Sequence, residues 1–449
     1  MTKINTVELS TAAGRSSNLL AQGATGREVW AWAMYDFANS GYTTVVITAL
    51  FNAYFVAVVA GGAPWATFAW TAALAVSYAL IMLSAPLLGT LADLHAAKKK
   101  LLFITTVGCV LCTAGLALAG PGDLVLAIIF VVLSNFFFGS GENLIAAFLP
   151  ELAHEDSVGT VSGWGWSLGY LGGLLSLGLC LAYISWAQAR GLGPSHFVPV
   201  SMLITAVLFA LSSAPTFLWL KERALPQADQ GFSRGWIVDA FARLTKTLRH
   251  AHDFADLRRL LICIVFYQAG IQAVITLAAV YAEQVMGFTM TQTITLIFAV
   301  NIAGALGALA FGSVQDRIGH RPALAVTLVG WIFTAVTAFL AVDVQVFWAA
   351  ACLAGLCMGT SQSAGRAMVG ALAPSDRLAS FYALWTFAMQ LAAAVGPLAY
   401  GLVTWLTSGN QRLAMLLTGL FFIAALGVLS RIRFSQGEQE RKAAEAHAV

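Results

Sequence analysis

The sequence predicts an all-α membrane protein: twelve transmembrane helices arranged as two pseudo-symmetric six-helix bundles. Three observations predict it. First, the 449 residues are 59% hydrophobic and only 10% charged, with mean hydropathy +0.79, whereas a soluble domain carries about 25% charged residues. Second, apolar runs of roughly 20 residues recur along the chain, each long enough to cross the hydrocarbon core. A backbone in lipid must satisfy its own hydrogen bonds, so these runs are helices; the alternation of a membrane barrel is absent. Third, landmarks of the first half return in the second at a nearly fixed offset. Gly141 and Gly365, Pro150 and Pro374, and Gly172 and Gly396 stand 224 positions apart; Gly89 and Gly312, and Asp93 and Asp316, stand 223 apart.

In order along the chain, residues 1–27 are polar and lack the charged start and short apolar run of a secretory signal, which predicts a disordered tail. Residues 28–220 form the first bundle, with apolar runs near 29–59, 65–92, 101–120, 124–149, 159–186 and 198–220. Residues 221–258 form a polar linker. Within it Trp236, Ala240, Phe241, Leu244 and Leu248 share one helical face, with Arg243, Lys246 and Arg249 off it. That pattern fits a helix lying on the membrane surface, and equally a connector packed on the bundle. Residues 259–431 form the second bundle, with runs near 259–282, 291–314, 322–341, 346–372, 379–406 and 411–431, and residues 432–449 a second tail.

Lys and Arg mark the cytoplasmic loops. Lys98–Lys100, Lys221, Arg223, Arg317, Arg321, Arg377, Arg431 and Arg433, with Arg234, Arg243, Lys246, Arg249, Arg258 and Arg259 in and beside the linker, fall on one side, against Arg190 and Arg412 on the other. Both termini are therefore expected in the cytoplasm, with the chain multi-pass in a cell inner or plasma membrane. The net charge of +3 is spread over short loops rather than one face, so no nucleic-acid partner is expected. All six Cys lie in apolar runs, where a buried thiol packs as a small hydrophobe. The seven His lie in loops or tails. Neither pattern suggests a metal, and no cofactor is expected.

The loop after the second run reads Gly89-Thr-Leu-Ala-Asp93-Leu-His-Ala-Ala-Lys98-Lys99-Lys100; the loop after the eighth reads Gly312-Ser-Val-Gln-Asp316-Arg317-Ile-Gly319-His-Arg321-Pro322. Both resemble the G-x-x-x-D-R-x-G-R-R loop of the major facilitator superfamily, although the first has Leu94 for the Arg and Ala96 for the second Gly. Helix 1 carries Trp32-Ala-Met-Tyr35-Asp36-Phe37-Ala38-Asn39-Ser40-Gly41-Tyr42, helix 5 carries Ser162-Gly163-Trp164-Gly165-Trp166-Ser167-Leu168-Gly169-Tyr170, helix 10 carries Gln362-Ser363-Ala364-Gly365-Arg366, and helix 11 Gly396-Pro397. Together these are similar to the vacuolar amino-acid effluxer-like branch of that superfamily. One departure is that Ile145-Ala146 stands where the branch has a polar pair before Ala147-Phe148-Leu149-Pro150-Glu151. The resemblance implies a major facilitator fold with helices 1, 4, 7 and 10 around a central cavity. It also implies gate roles for Asp93, Asp316 and Arg317.

The residues themselves point to the same four helices. Glu142 and Arg366 are unlike charges within apolar runs, about 12 Å from Pro150 and Pro374 at a rise of 1.5 Å per residue. Charges at that depth cost about 2.5–3.5 kcal/mol each on insertion scales, which makes them functional candidates. Asp36, Asn39, Ser40 and Thr43 recur at helical spacing, as do Gln268, Gln272 and Thr276, with Tyr267 alongside; Gln362 is one turn from Arg366 and Asn135 two turns from Glu142. Trp164, Trp166 and Tyr170 on helix 5 and Trp385 on helix 11 are further candidates for the cavity wall. Arg366 has the planar fork for a carboxylate. Glu142 suits an ammonium group or a coupling proton, with Asp36 as a second proton site or, on a structural reading, a cap or gate partner. Glu142 and Arg366 pairing with each other to close the cytoplasmic side is the competing reading.

The expected function is a proton-coupled secondary transporter, working as a monomer in the lipid bilayer. It moves a small amphoteric solute, an amino acid or peptide-like compound, by alternating access. No G-x-x-x-x-G-K-[ST] loop is present to bind a nucleotide. Export of drug-like compounds and sugar transport are the alternatives within transport. An integral-membrane enzyme or a sensor is the alternative outside it, and no convergent nucleophile–base set supports the enzyme.

Overall fold

In the computed structural model the described residues are 20–153, 158–223, 255–372 and 378–432. Among them, twelve helices are long and apolar enough to cross a membrane. We label them α1 (Gly26–Val59), α2 (Ala66–His95), α3 (Lys98–Gly115), α4 (Leu124–Ala146), α5 (Val158–Gln188), α6 (Pro194–Trp219), α7 (Ala255–Met286), α8 (Met290–Ile318), α9 (His320–Leu340), α10 (Val344–Leu372), α11 (Leu378–Leu406) and α12 (Gln411–Leu429). The tails and the amphipathic pattern around Trp236 to Leu248 lie outside the described residues. Helix α7 begins four residues earlier than the apolar run suggests. Asp256, in its first turn, pairs with Arg259 at 2.7 Å, so the helix extends over a charged turn that hydropathy alone leaves in the linker.

Helix α1 starts at a capping box. The Thr25 hydroxyl accepts from Glu28 N–H, and the Glu28 carboxylate accepts from Thr25 N–H at 3.0 Å, satisfying two donors that an α-helix leaves open at its start. From Tyr42 onward α1 is irregular: Thr43–Ala49 and Phe55–Val59 are π-helical, and Leu50 between them breaks the helix at φ −120°, ψ −60°.

The repeat seen in the sequence is a repeat of packing. Helix α1 crosses α5 so closely that a Cβ at Gly172 would fall on the backbone carbonyl of Phe37, and α7 crosses α11 so closely that one at Gly396 would fall on that of Ala269. The hydroxyl of Tyr35 occupies the space beside Gly141, and that of Tyr267 the space beside Gly365. Only glycine permits these approaches.

The two membrane faces are built differently. Chain order places the termini, the ends of α6 and the start of α7 on one face, here the linker face. Toward the opposite face one hydrophobic core runs through both halves, from Val45, Phe51 and Trp70 to Tyr281, Phe347, Tyr400 and Met415. Phe68 of α2 stacks on Trp405 of α11 there at 5.0 Å, and Gln411 donates to Thr67 at 2.9 Å. Toward the linker face the core divides. One cluster (Trp32, Tyr35, Leu144, Phe148, Leu220) belongs to α1–α6 alone, and the other (Leu260, Tyr267, Trp331, Met368, Phe422) to α7–α12 alone. The ion pairs Lys98–Glu151 and Arg223–Glu28, each 2.9 Å, brace the first half by itself. Among the described residues, apolar packing between the halves is continuous on the opposite face and falls into two separate clusters toward the linker face.

Candidate functional site

Glu142 lies on the inward side of α4, on the linker side of the shared core. At about 100° per residue, Glu142 lies in line with Val131, Asn135 and Phe138, all buried, and roughly opposite the exposed stripe Val125, Ile129 and Leu133. Glu142 is nevertheless exposed. Its side chain is thus turned to the inner side of the bundle, away from the stripe of large exposed apolar residues. Tyr35 and Tyr78 lie close enough to interact with it electrostatically.

The surrounding wall is polar and mostly paired. Asn135 donates to Ser77 Oγ at 2.9 Å. The hydroxyls of Tyr35 and Thr106 meet at 2.8 Å, and those of Tyr42 and Ser134 at 2.9 Å. Trp32 Nε1 donates to the Ile145 carbonyl at 2.9 Å, so the position where this chain departs from its branch serves α1–α4 packing through its backbone. Asn39 stands apart. It is 6% exposed, and among the described residues neither its Oδ1 nor its Nδ2 has a hydrogen-bond partner, an arrangement that costs free energy unless a water or a solute completes it.

The predicted stripe on α1 is divided by this packing. Asp36 and Ser40 lie over the glycines of α5, the Asp36 carboxylate beside Gly165 and the Ser40 hydroxyl beside Gly169. Asp36 is therefore at the α1–α5 seam, while Asn39 turns toward the α4 side. In the second half, Gln268 and Gln362 are brought together in a reciprocal amide pair. Gln268 Nε2 donates to Gln362 Oε1 at 2.7 Å, and Gln362 Nε2 returns at 3.3 Å. Gln272 is half-buried one turn further along α7, and Tyr267 is fully buried. Arg366 lies on α10 one turn beyond Gln362, with its side chain outside the described residues, as are those of Asp93, Asp316 and Arg317.

Trp164 is placed away from this group. It is 46% exposed in line with Leu171, Leu175 and Leu179, the outward stripe of α5. Trp166, two positions on, turns roughly to the other side, where its ring lies 6.4 Å from that of Tyr170 and where, further along, Gln188 meets Thr291 of α8. A hollow of about 150 Å³, lined by Ala85, Gly89, Lys98, Ser140 and Asn143, lies on the other side of α4 from Glu142 and takes no part in the site. Ser77, Tyr78, Thr106 and Ser134 carry no charge and form no stripe at helical spacing within their apolar runs, so periodicity gives no sign of them.

The loop positions equivalent to the second motif glycine explain the departure there. Gly319 has φ 89°, and Ala96, 223 positions earlier, also has a positive φ, 47° with ψ 50°. Both halves take a positive φ at this position, with ψ 159° at Gly319 and 50° at Ala96, and the first half does so with alanine.

Comparison with known proteins agrees with this architecture. The family model described as vacuole effluxer Atg22 like matches residues 66–159 and 156–442. An uncharacterized MFS-type transporter of Bacillus subtilis, YxiO, is 25% identical over 397 residues, covering 87% of this chain and 92% of that protein. Autophagy-related protein 22 of Cryptococcus neoformans is 24% identical over 299 residues, 62% of this chain and 51% of that protein, so the chain matches about half the length of the fungal relative. Among solved structures, a bacterial homologue of the lysosomal transporter Spinster, in an inward-facing and unoccupied conformation, superposes with TM-score 0.67 at 12% identity, covering 93% of this chain and 99% of that one. The D-xylose–proton symporter superposes with TM-score 0.66 at 16% identity, over 91% and 98%, and the nucleoside transporter NupG with 0.66 at 14%, over 91% and 99%. At such identities the likeness is one of fold. With the family model spanning most of the chain, and with two six-helix halves and an acid turned to the inner side of the bundle, the protein belongs to the Atg22-like branch of the major facilitator transporters.

Proposed function

We propose that this transporter carries a small amphoteric solute, an amino acid or a peptide-like compound, and couples its movement to protons. The observation that supports this most is the placement of Glu142, a carboxylate exposed on the inward side of α4, on the linker side of the shared core. In this reading Glu142 alternates between holding the proton and holding the solute's ammonium group, and Arg366 holds its carboxylate. The unpartnered amide of Asn39 completes the wall. The halves rock about the site, with Asp93, Asp316 and Arg317 as gate elements at the linker face. That face is the cytoplasmic one, by the distribution of Lys and Arg, in a plasma or inner membrane, and the monomer is the working unit.

The test is transport in proteoliposomes. Glu142→Gln is expected to abolish pH-driven uphill accumulation while leaving solute exchange in place; accumulation that survives the substitution refutes the coupling role. Arg366→Lys keeps the charge and loses the fork, and is expected to weaken carboxylate solutes about tenfold. Unchanged affinity would move Arg366 to the gate. A hydroxyl-rich solute is the second reading, favoured by the Gln268–Gln362 amide pair and by the nucleoside and xylose carriers among the structural neighbours. Counterflow with an amino-acid, a dipeptide and a sugar panel separates the two.

A further inference from the structure

Asn52 lies outside the solute site, and its contacts are those of a latch. It is 0% exposed, in the short helical turn Phe51–Tyr54 between the two π-helical stretches of α1. Its Nδ2 donates twice: to the Thr48 carbonyl of its own helix at 2.9 Å, and to the Thr276 carbonyl of α7, in the other half, at 2.6 Å. Its Oδ1 accepts from Ala53 N–H at 2.7 Å. The side chain is thus fixed to its own helix by two bonds, with a third directed across the seam.

The surrounding backbone makes this geometry possible. A π-turn inserts a residue and rotates everything after it relative to a regular helix. Here two such stretches flank Asn52, and the Leu50 break lies just before it. The seam it crosses is the sealed one. The Thr71 hydroxyl of α2 lies against Gly401 of α11, Gln188 and Thr291 meet at 2.8 Å, and the apolar core is continuous between halves. The first is a van der Waals contact and the second is surface-exposed; the Gln411–Thr67 bond is buried but joins α12 to α2, whereas the Asn52–Thr276 bond is buried at the α1–α7 crossing.

We propose that Asn52 is a gating residue, the polar latch that holds the face opposite the linker shut while the linker face is open. Opening that face must break the Asn52–Thr276 bond, because the partner carbonyl belongs to the half that moves. Loss of the latch should shift the equilibrium toward the state open on the opposite face without touching the solute site. The inference is independent of proton coupling at Glu142 and can fail separately from it.

The test needs no solute. Thr71→Cys places a thiol in the sealed seam, where Thr71 is 0% exposed, and its alkylation rate by a membrane-impermeant maleimide reads the fraction of time that the seam is open. Labelling of the same protein with Thr71 intact gives the background. Interhelical hydrogen bonds in membranes are worth enough to change such a population roughly 3- to 20-fold. Asn52→Leu, which removes both donors, and Asn52→Ser, which retains a hydroxyl able to reach only Thr48, are each expected to raise the labelling rate by that factor. Buried Cys109, inside the first half, reports the integrity of the bundle. If it labels in Asn52→Leu, the Asn52→Ser rate alone decides. A rate equal to that of the Thr71→Cys parent, with Cys109 protected, overturns the proposal.

Discussion

In the first half the glycine before the membrane acid lies beside the hydroxyl of Tyr35; in the second, the glycine before the membrane base lies beside that of Tyr267. The same correspondence holds where Phe37 meets Gly172 and where Ala269 meets Gly396. The residues next to these matched contacts do not correspond. The first half pairs hydroxyls along α1, Tyr35 with Thr106 and Tyr42 with Ser134. The second offers a pair of amides, Gln268 and Gln362. The two halves retained the contacts that fix how helices cross and diverged in the buried polar pairs beside them. A structural repeat is thus strict where backbone touches backbone and permissive where buried polar side chains pair.

Substitution at the matched glycines should break that comparison most visibly. Gly172→Ala and Gly396→Ala each drive a methyl group into a facing carbonyl, and overpacking of this kind costs about 1–3 kcal/mol. Both should lower the thermal midpoint of the purified protein by similar amounts, whereas Gly178→Ala, which meets nothing within 4 Å, should leave it unchanged. Unequal responses at Gly172 and Gly396 would show that the repeat is one of sequence rather than of packing.

A smaller effect sharpens the contrast at the loops. Ala96 adopts left-handed backbone where the second half has Gly319, and that conformation costs a residue with a Cβ about 1–2 kcal/mol. Ala96→Gly should therefore raise stability by about 1 kcal/mol, whereas Gly319→Ala, at φ 89° and ψ 159°, a region essentially confined to glycine, should lower it by about 1–3 kcal/mol. No gain from Ala96→Gly would mean that the neighbouring contacts already compensate the turn.

The smallest effect is expected from Tyr35→Phe, which removes the 2.8 Å contact to Thr106 while keeping the ring beside Gly141. Polar contacts between membrane helices average about 0.6 kcal/mol, so a loss above about 2 kcal/mol would assign the hydroxyl a role beyond packing. Glu142→Gln belongs to a different kind of measurement, since it is expected to alter transport rather than stability.

The architecture was legible in the sequence because its determinants are bulk properties. Hydropathy sets the spans, and the recurrence of Gly141, Gly172 and their counterparts sets the repeat. The pairing of Gln268 with Gln362 was approachable too, because both fall on regular helices of the predicted cavity wall. The stripe Asp36, Asn39, Ser40 and Thr43 was less informative: regular spacing places four polar groups near one face, but α5 packs so tightly on α1 that two of them lie over glycine. Trp164 and Trp166 differ by two positions, which on a helix is nearly the difference between lipid and interior, and their composition is identical. Asn52 was least legible of all. The π-helical stretches on either side of it break the 3.6-residue period on which any assignment of faces depends.

The apolar nature of the seal opposite the linker has a thermal consequence. Parting Phe68 from Trp405, and wetting the core behind them, exposes hydrocarbon to water, and hydration of such surface carries a positive heat capacity. The enthalpy of the conformational exchange must then change with temperature, so its van't Hoff plot should curve. Chilling weakens the hydrophobic grip, which makes the sealed state most populated at an intermediate temperature rather than at the coldest one.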